Sequence, residues 1–259
     1  MNPLMLSKSR LNTICQCPEK YRLTYVENIV YDKTPVTLIE GSALHHIVEN
    51  VLVYGHNIPN IAKVSSDEYW SGIDWKITEY PDRDACKLAQ DKILSEAVEF
   101  IGKIGDVHTY QMETKFEHTL VNPATGECDE SIVLTGYADI IDSPEKDVMR
   151  IVDIKTSGKS PNMEQANRAF ELTVYAYLMA CQFGFHIEVP VALLYLVRSK
   201  DKKVLWLNSE RSMDDFVMAY ETIQNVAHAI RHNLYWKNQG LHCSWCDHQE
   251  LCFAKRNAA

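Results

Sequence analysis

Two groups of residues in this chain have types and spacing suited to chemistry. The first lies in Thr135–Ser157, TGYADIIDSPEKDVMRIVDIKTS, where Asp139 follows Gly136 as G-x-x-D and Asp153 and Lys155 form D-I-K. Residues two apart on a strand leave the same face, so Asp153 and Lys155 project together. Two carboxylates can hold a hard divalent cation, and a lysine beside them can stabilise a developing phosphorane or orient an attacking water. That combination suits a metal-dependent phosphodiester hydrolase. The second group is Cys243, Cys246 and Cys252, spaced C-x2-C-x5-C within LHCSWCDHQELCF. Three cysteines this close point to a bound metal but leave the coordination sphere one ligand short. Cys15, Cys17, His242 and His248 are the candidates for the fourth. Cys17 is preferred because it precedes Pro18, whose ring restricts it to a bend. Zinc and an iron–sulfur cluster both remain open from the spacing.

The elements that must position these groups follow from periodicity. Ile and Val enrichment on both sides of Ser143-Pro144-Glu145-Lys146-Asp147 predicts two strands joined by a hairpin loop. Leu6–Val26 reads as helix capped by Ser7, with a second helix opening at Pro18 and Tyr21 and Tyr25 packed in the core. Thr37–Tyr54 carries Leu44, Ile47, Val48, Val51 and Leu52 at helical spacing. His45 and Glu49 share one face of that helix, and Gly41 allows another backbone to come close. Asn57–Tyr80 reads as irregular, with Trp70 and Trp75 packing over the domain. A helix then runs from Pro81 to about Gly105, and this helical stretch before the strands would act as a lid or clamp. Tyr110–Val121 alternates as a strand. Pro161–Gly184 reads as one helix, Pro190–Arg198 and Lys203–Leu207 as a hairpin, and Ser212 as the cap of a long final helix.

Composition sets bounds. The chain has 259 residues, 46% hydrophobic and 24% charged, which suits one globular domain. Its beginning has no secretory pattern, and its longest apolar run is too short to span a bilayer, so a soluble cytoplasmic protein is expected. Eight cysteines in such a chain favour metal binding or free thiols over disulfides. The net charge of −9 runs against a phosphate-binding surface unless the basic groups are local. Lys8, Arg10, Lys159 and Arg168 lie nearest the motifs in sequence and are candidates for that local groove. No G-x-x-x-x-G-K-[ST] phosphate loop is present, so the chain has no helicase motor of that type.

Taken in order, Cys17-Pro18, G-x-x-x-H at Gly41 and His45, G-x-x-D, D-x-K and the C-terminal C-x2-C-x5-C resemble the PD-(D/E)XK nuclease superfamily. Within it they are similar to the RecB-like branch that carries an iron–sulfur cluster, including the CRISPR-associated RecB-like exonucleases and AddB nuclease domains. The resemblance implies an α/β fold with a restriction-endonuclease-like core: a central mixed sheet flanked by helices, a helical insertion, and a Cys-ligated cluster joining the two chain ends. A helical part would cover 1–108, the catalytic core 109–210, and the final helix and cluster segment 211–259. His45, Asp139 and Asp153 would ligate Mg2+ or Mn2+, with the Ile154 backbone carbonyl a further ligand and Lys155 the catalytic lysine. The family often has glutamine and tyrosine four apart on the next helix. Here the positions are Glu171 and Tyr175, and the glutamate is a departure. Cys17, Cys243, Cys246 and Cys252 would hold a [4Fe–4S] cluster as a structural staple. The implied activity is a DNA exonuclease working on ends or single strands in repair, recombination or CRISPR spacer processing, with a helicase or CRISPR integration complex as partner. The acidity and Glu171 leave a second reading, a DNA-binding or assembly subunit that keeps the fold without cutting.

Overall fold

The structure is a computed structural model that describes residues 2–55, 57–105, 107, 109–146, 148–185 and 187–254; Asp147 of the expected hairpin loop lies outside them. The described residues form a six-stranded mixed sheet. Its strands are β1 (Leu4–Ser7), β2 (Thr109–Val121), β3 (Cys128–Glu145), β4 (Val148–Ser157), β5 (Val189–Val197) and β6 (Lys203–Arg211). β4 pairs parallel with β5, which pairs antiparallel with β6. β2 runs antiparallel along one edge of β3. The opposite edge of β3 is shared. β1 takes Ile132–Thr135 in parallel register, and β4 begins only at Ile140, paired with Val152. Gly136–Asp139 lies between these two ladders.

Helices cover both faces. On one, α1 (Lys8–Gln16), α7 (Phe170–Phe183) and α8 (Met213–Arg231) share a core with the sheet through Leu11, Tyr175, Leu193 and Phe216. On the other, α3 (Val36–Tyr54), α4 (Ile58–Ser71) and α5 (Arg83–Ile104) pack Ile47, Val48, Ile93 and Phe100 with Val152, Ile154 and Leu194. Ser7 caps α1 by accepting from the Arg10 amide, Asp82 caps α5 through the Ala85 amide, and Asp215 accepts from the Ser212 amide at the start of α8. Each satisfies a backbone donor that the helix itself leaves unpaired.

Several expectations change. Leu6 belongs to a strand, so the N-terminal part is not wholly helical, and α1 starts at Lys8. Pro18 does open a further helical turn, α2 (Pro18–Tyr21), which runs on through Val26; Tyr21 is buried, with Tyr25 beside it at 5.1 Å between ring centroids. Asn57–Tyr80 contains a full helix, α4, that packs Trp70 inward while Trp75 stays half-buried. The helix from Pro81 begins at Arg83 and forms part of the second core, so it is a layer of the fold instead of a lid. Pro161–Gly184 is two helices, α6 (Glu164–Arg168) and α7, broken at Ala169. The buried Arg211 guanidinium donates to the carbonyls of Ala166 and Ala169 and to Thr173 Oγ1, which accounts for the break. Alternation along β2 also fails. Glu113 has a φ of 45° between the pairs Met112↔Ile140 and Thr114↔Ala138, and the inward faces exchange there. Phe116 and Ala138 join the core under α7, Met112 and Ile140 the core under α3.

Gly136 is required by packing. A Cβ built there would lie 2.9 Å from Tyr175 Cε1 and 3.3 Å from Cδ1. Tyr175 is 1% exposed and has no free direction in which to retreat. We expect Gly136→Ala to destabilise the protein by about 1–3 kcal/mol through overpacking, seen as a lower Tm. An unchanged Tm would show that Tyr175 does not depend on the glycine.

Candidate active site

The interrupted edge of β3 lets both helical layers reach one place. Beyond Ile140↔Val152, Asp139 and Asp153 would be the next pair in register, but the ladder stops. Asp139 Oδ2 instead accepts from the Ile154 amide at 2.7 Å and bonds to His45 Nε2 at 3.0 Å. The α3 helix thus delivers His45 to the end of the strand pair. One turn on, Glu49 follows, with Oε1 3.7 Å from His45 Nδ1. Gly41, one turn before His45, lets α3 come close to β4: a Cβ there would stand 3.1 Å from Thr156 Oγ1. Among the described residues, His45, Glu49 and Asp139 are the one group of three donors whose ligand atoms lie within 4.8 Å of one another. Glu49 Oε1 is buried and has no hydrogen-bond partner. An acidic oxygen left in that condition is costly unless a cation joins it.

Asp153 lies on the other side of this group. It is 1% exposed and so does not lie at an open strand end. Lys155 Nζ is 2.7 Å from Oδ2, and Lys8 Nζ, arriving from the first residue of α1, is 3.2 Å from Oδ1. Lys155 also approaches Glu171 Oε1 at 3.4 Å, and Lys8 lies over the Tyr175 ring, 5.0 Å from its centroid. Asp153, Lys155, Tyr175 and Glu171 therefore lie together. Ile154 engages Asp139 through its amide N–H. Of the four basic residues placed near the site, only Lys8 reaches it. Arg10 lies over the Tyr25 ring, Arg168 is exposed beside Glu164, and Lys159 is exposed. Glu49 was not among the expected site residues, although its i,i+4 relation to His45 was a usable signal. Lys8 was expected only as one of four groove candidates, chosen for nearness to the motifs in sequence.

Electrostatics hold the two sides differently. Burial works against the charge on His45, but its bond to Asp139 and the charges of Asp139, Glu49 and Asp153 raise its pKa to about 9. Burial pushes Glu49 up to about 8; His45 opposes the rise, while Asp139, Glu113 and Asp153 add to it. Burial also opposes the charge on Asp153, yet Lys155 and Lys8 hold its carboxyl below the usual range. The phenol of Tyr175 is raised by burial and the nearby Asp153 and Asp139.

This arrangement has a precedent in sequence. Residues 5–253 match the profile of the PD-(D/E)XK nuclease superfamily. The chain belongs to that superfamily. Among solved structures, a protein of Eubacterium rectale provisionally described as an exonuclease has the same fold, with a TM-score of 0.50 and 12% identity, covering 95% of this chain and 87% of its own. The crystal structure of SSO0001 aligns with a TM-score of 0.41 and 15% identity, over 92% of this chain and 95% of that one. No curated protein matches the chain significantly. No helix among the described residues is long and apolar enough to cross a membrane.

Away from this site, the cysteines gather. Cys17, Cys243, Cys246 and Cys252 line one cavity together with Leu23, Lys20 and Phe253. Cys15 is exposed and does not line it. His248 also borders the cavity, but its ring nitrogens bond to Thr24 Oγ1 and the Tyr31 hydroxyl. His242 bonds to the Asn238 carbonyl. Of the four candidates for the fourth ligand, Cys17 is the thiol that lines this cavity with the other three.

The raised His45 and Glu49 values give a testable consequence for this superfamily site. Both groups hold protons at pH 7 and must release them to act as ligands. Mn2+ affinity should therefore rise from pH 7 to pH 9. Calorimetric titration with Mn2+ in two buffers of different ionisation enthalpy should show about one to two protons released per ion. Equal enthalpies in the two buffers would remove His45 and Glu49 from the ligand set.

Proposed function

We propose that this chain is a divalent-metal-dependent DNA exonuclease acting on ends or single strands. The observation that carries the reading is the convergence of His45, Glu49 and Asp139 on one point, with Glu49 Oε1 unpartnered and the Asp153–Lys155 pair alongside. Carboxylates with one imidazole suit Mg2+ or Mn2+. Asp139, His45 and Asp153, with the Ile154 carbonyl, would hold the ion, and Glu49 joins them on the geometry. Bound there, such an ion supplies a polarised phosphate and a water of lowered pKa. Lys155 would place its ammonium against the negative charge that develops on the phosphate, and Asp153 keeps that ammonium aimed. Tyr175 forms a buried wall behind the site, packed against Gly136. The E. rectale fold neighbour, provisionally described as an exonuclease, agrees with the activity proposed. Repair, recombination or CRISPR spacer processing is the proposed setting, with a helicase or CRISPR integration complex presenting the end.

The same reading includes a [4Fe–4S] cluster on Cys17, Cys243, Cys246 and Cys252. What supports one shared centre is that these four cysteines, from both ends of the chain, line a single cavity. The cluster would staple the beginning of the chain to its end and contribute folding free energy, with no part in the cutting step.

End-labelled single- and double-stranded DNA, incubated with Mg2+, Mn2+ or EDTA, tests the activity. Linear DNA should be degraded with either ion and spared in EDTA, and closed circles should resist. Asp153→Asn and Lys155→Met should each lower the rate roughly 100-fold or more; asparagine is chosen because the buried position would not accept a cavity beside two lysines. Parent-like cutting by Asp153→Asn would sink the site assignment, and circles cut as fast as linear DNA would sink the exonuclease assignment.

Anaerobically purified protein should contain iron and acid-labile sulfide in equal amounts and absorb broadly in the visible. Serine at Cys17, Cys243, Cys246 or Cys252 should lower Tm and soluble yield, whereas Cys15→Ser should not. Stoichiometric zinc in place of iron would overturn the cluster, and metal lost with Cys15→Ser but kept with Cys17→Ser would overturn the ligand set.

A further inference from the structure

Lys8 is in the site for a reason that Asp153 and Lys155 do not supply. Asp153 has two carboxylate oxygens, and a different lysine holds each: Lys155 at 2.7 Å and Lys8 at 3.2 Å. Each of those oxygens keeps a second lone pair, so Asp153 can ligate a cation while both ammonium groups stay. Lys155 is tied to two carboxylates, Asp153 and Glu171. Among its ion pairs Lys8 has Asp153 alone, and it otherwise rests on the face of Tyr175. An ammonium has three donors, so Lys8 keeps N–H groups for a phosphate while it stays on Asp153, and the Tyr175 ring holds it at the site through a cation–π contact.

Charge gives the second half of the argument. With Lys155 alone, Asp153 and Glu171 would leave this side of the site one negative charge in excess, facing a substrate that is itself anionic. Lys8 brings the four side chains to neutrality. Glu171 then repels no phosphate, because two ammonium groups stand beside it and Asp153. We propose that Lys8 contacts the substrate phosphate as a second ammonium beside Lys155, and that Glu171 keeps the two-lysine pair in charge balance. The proposal rests on the nuclease reading and assigns it a further substrate-binding residue. The ligand is a phosphodiester of the nucleic-acid backbone, held without regard to base.

The test separates this role from cutting. With metal removed by EDTA, binding of a fluorescent single-stranded oligonucleotide is measured across a range of salt for the parent, Lys8→Met, Lys8→Arg, Glu171→Gln, the Lys8→Met/Glu171→Gln double variant, and Lys63→Met as an exposed-lysine control. Lys8→Met should bind several-fold more weakly and lose about 0.7 from the slope of log affinity against log salt, the value for one phosphate contact on a single strand. Lys8→Arg should restore most of the affinity, Glu171→Gln should bind more tightly than the parent, and the double variant should return close to it. Lys63→Met should leave the slope unchanged. With Mn2+ present, Lys8→Met should cut at least about tenfold more slowly. A Lys8→Met protein with the parent's affinity and slope overturns the proposal. So does one that cuts faster than the parent, which would make Lys8 a plug on Asp153 instead of a substrate contact. A parent that cuts no DNA defeats the nuclease reading, and the metal-free slopes still decide Lys8. Tm values for each variant show whether a loss reflects folding.

Discussion

Asp139 Oδ2 joins two parts of the molecule that no backbone ladder connects. It accepts the Ile154 amide at 2.7 Å and meets His45 at 3.0 Å. Ile154 is 4% exposed, and a buried amide with no acceptor costs about 1–3 kcal/mol. Were β3 and β4 to continue pairing past Ile140↔Val152, a β3 backbone carbonyl could serve that amide and Asp139 would have no structural duty. Because β1 holds the same edge of β3 further along, the ladder is interrupted and the carboxylate fills the acceptor's place. The group that best suits a cation is thus also a fold-stabilising acceptor. That dual duty fixes its position before any ion arrives.

The acidity of the chain takes on a different meaning once its cations are located. Arg198 is held between Glu40 and Glu96, Arg150 by Asp142 and the face of Trp206, and Lys103 and Lys202 share Glu99. These basic groups hold neighbouring elements together. What a phosphate meets is set by the few charges within several ångströms of it, since salt screens the rest over about 8–10 Å. At the site those charges include two lysines within ion-pair distance of one aspartate. A net charge of −9 and a phosphate-accepting centre are compatible for that reason.

The strand residues were legible because their period is short and local. Asp153 and Lys155 had to share a face, and Gly41 marked a close approach, which falls on Thr156 Oγ1 of β4. His45 was legible only through its company; on a helix of this kind its periodicity is that of any half-buried residue. What stayed hidden depended on partners distant in sequence. The break at Ala169 is tied to Arg211, more than forty positions on. Glu113 takes a φ of 45° between the Met112↔Ile140 and Thr114↔Ala138 pairs, where the inward faces exchange, and no alternation pattern within β2 records that. β1 is four residues long and runs straight into α1, so its strand character was absorbed into the helix that follows. Its effect exceeds its length, since it brings Lys8 to the gap.

That same helix ties the two centres together. α1 is nine residues long, about 14 Å at the ordinary helical rise, with Lys8 at its first position and Cys17 just past its last. Its far end is already fastened to the C-terminal segment: Asn238 Nδ2 donates to the Gln16 carbonyl at 2.8 Å, and the Glu19 amide donates to the Trp236 carbonyl at 3.0 Å. Leu11 and Ile14 anchor its middle in the core. A helix pinned at one end and along its buried side has little freedom at the other, so the direction in which Lys8 leaves α1 is set partly by packing around Cys17. One short element, α1, thus spans from the cysteine cavity to the carboxylate that Lys8 meets.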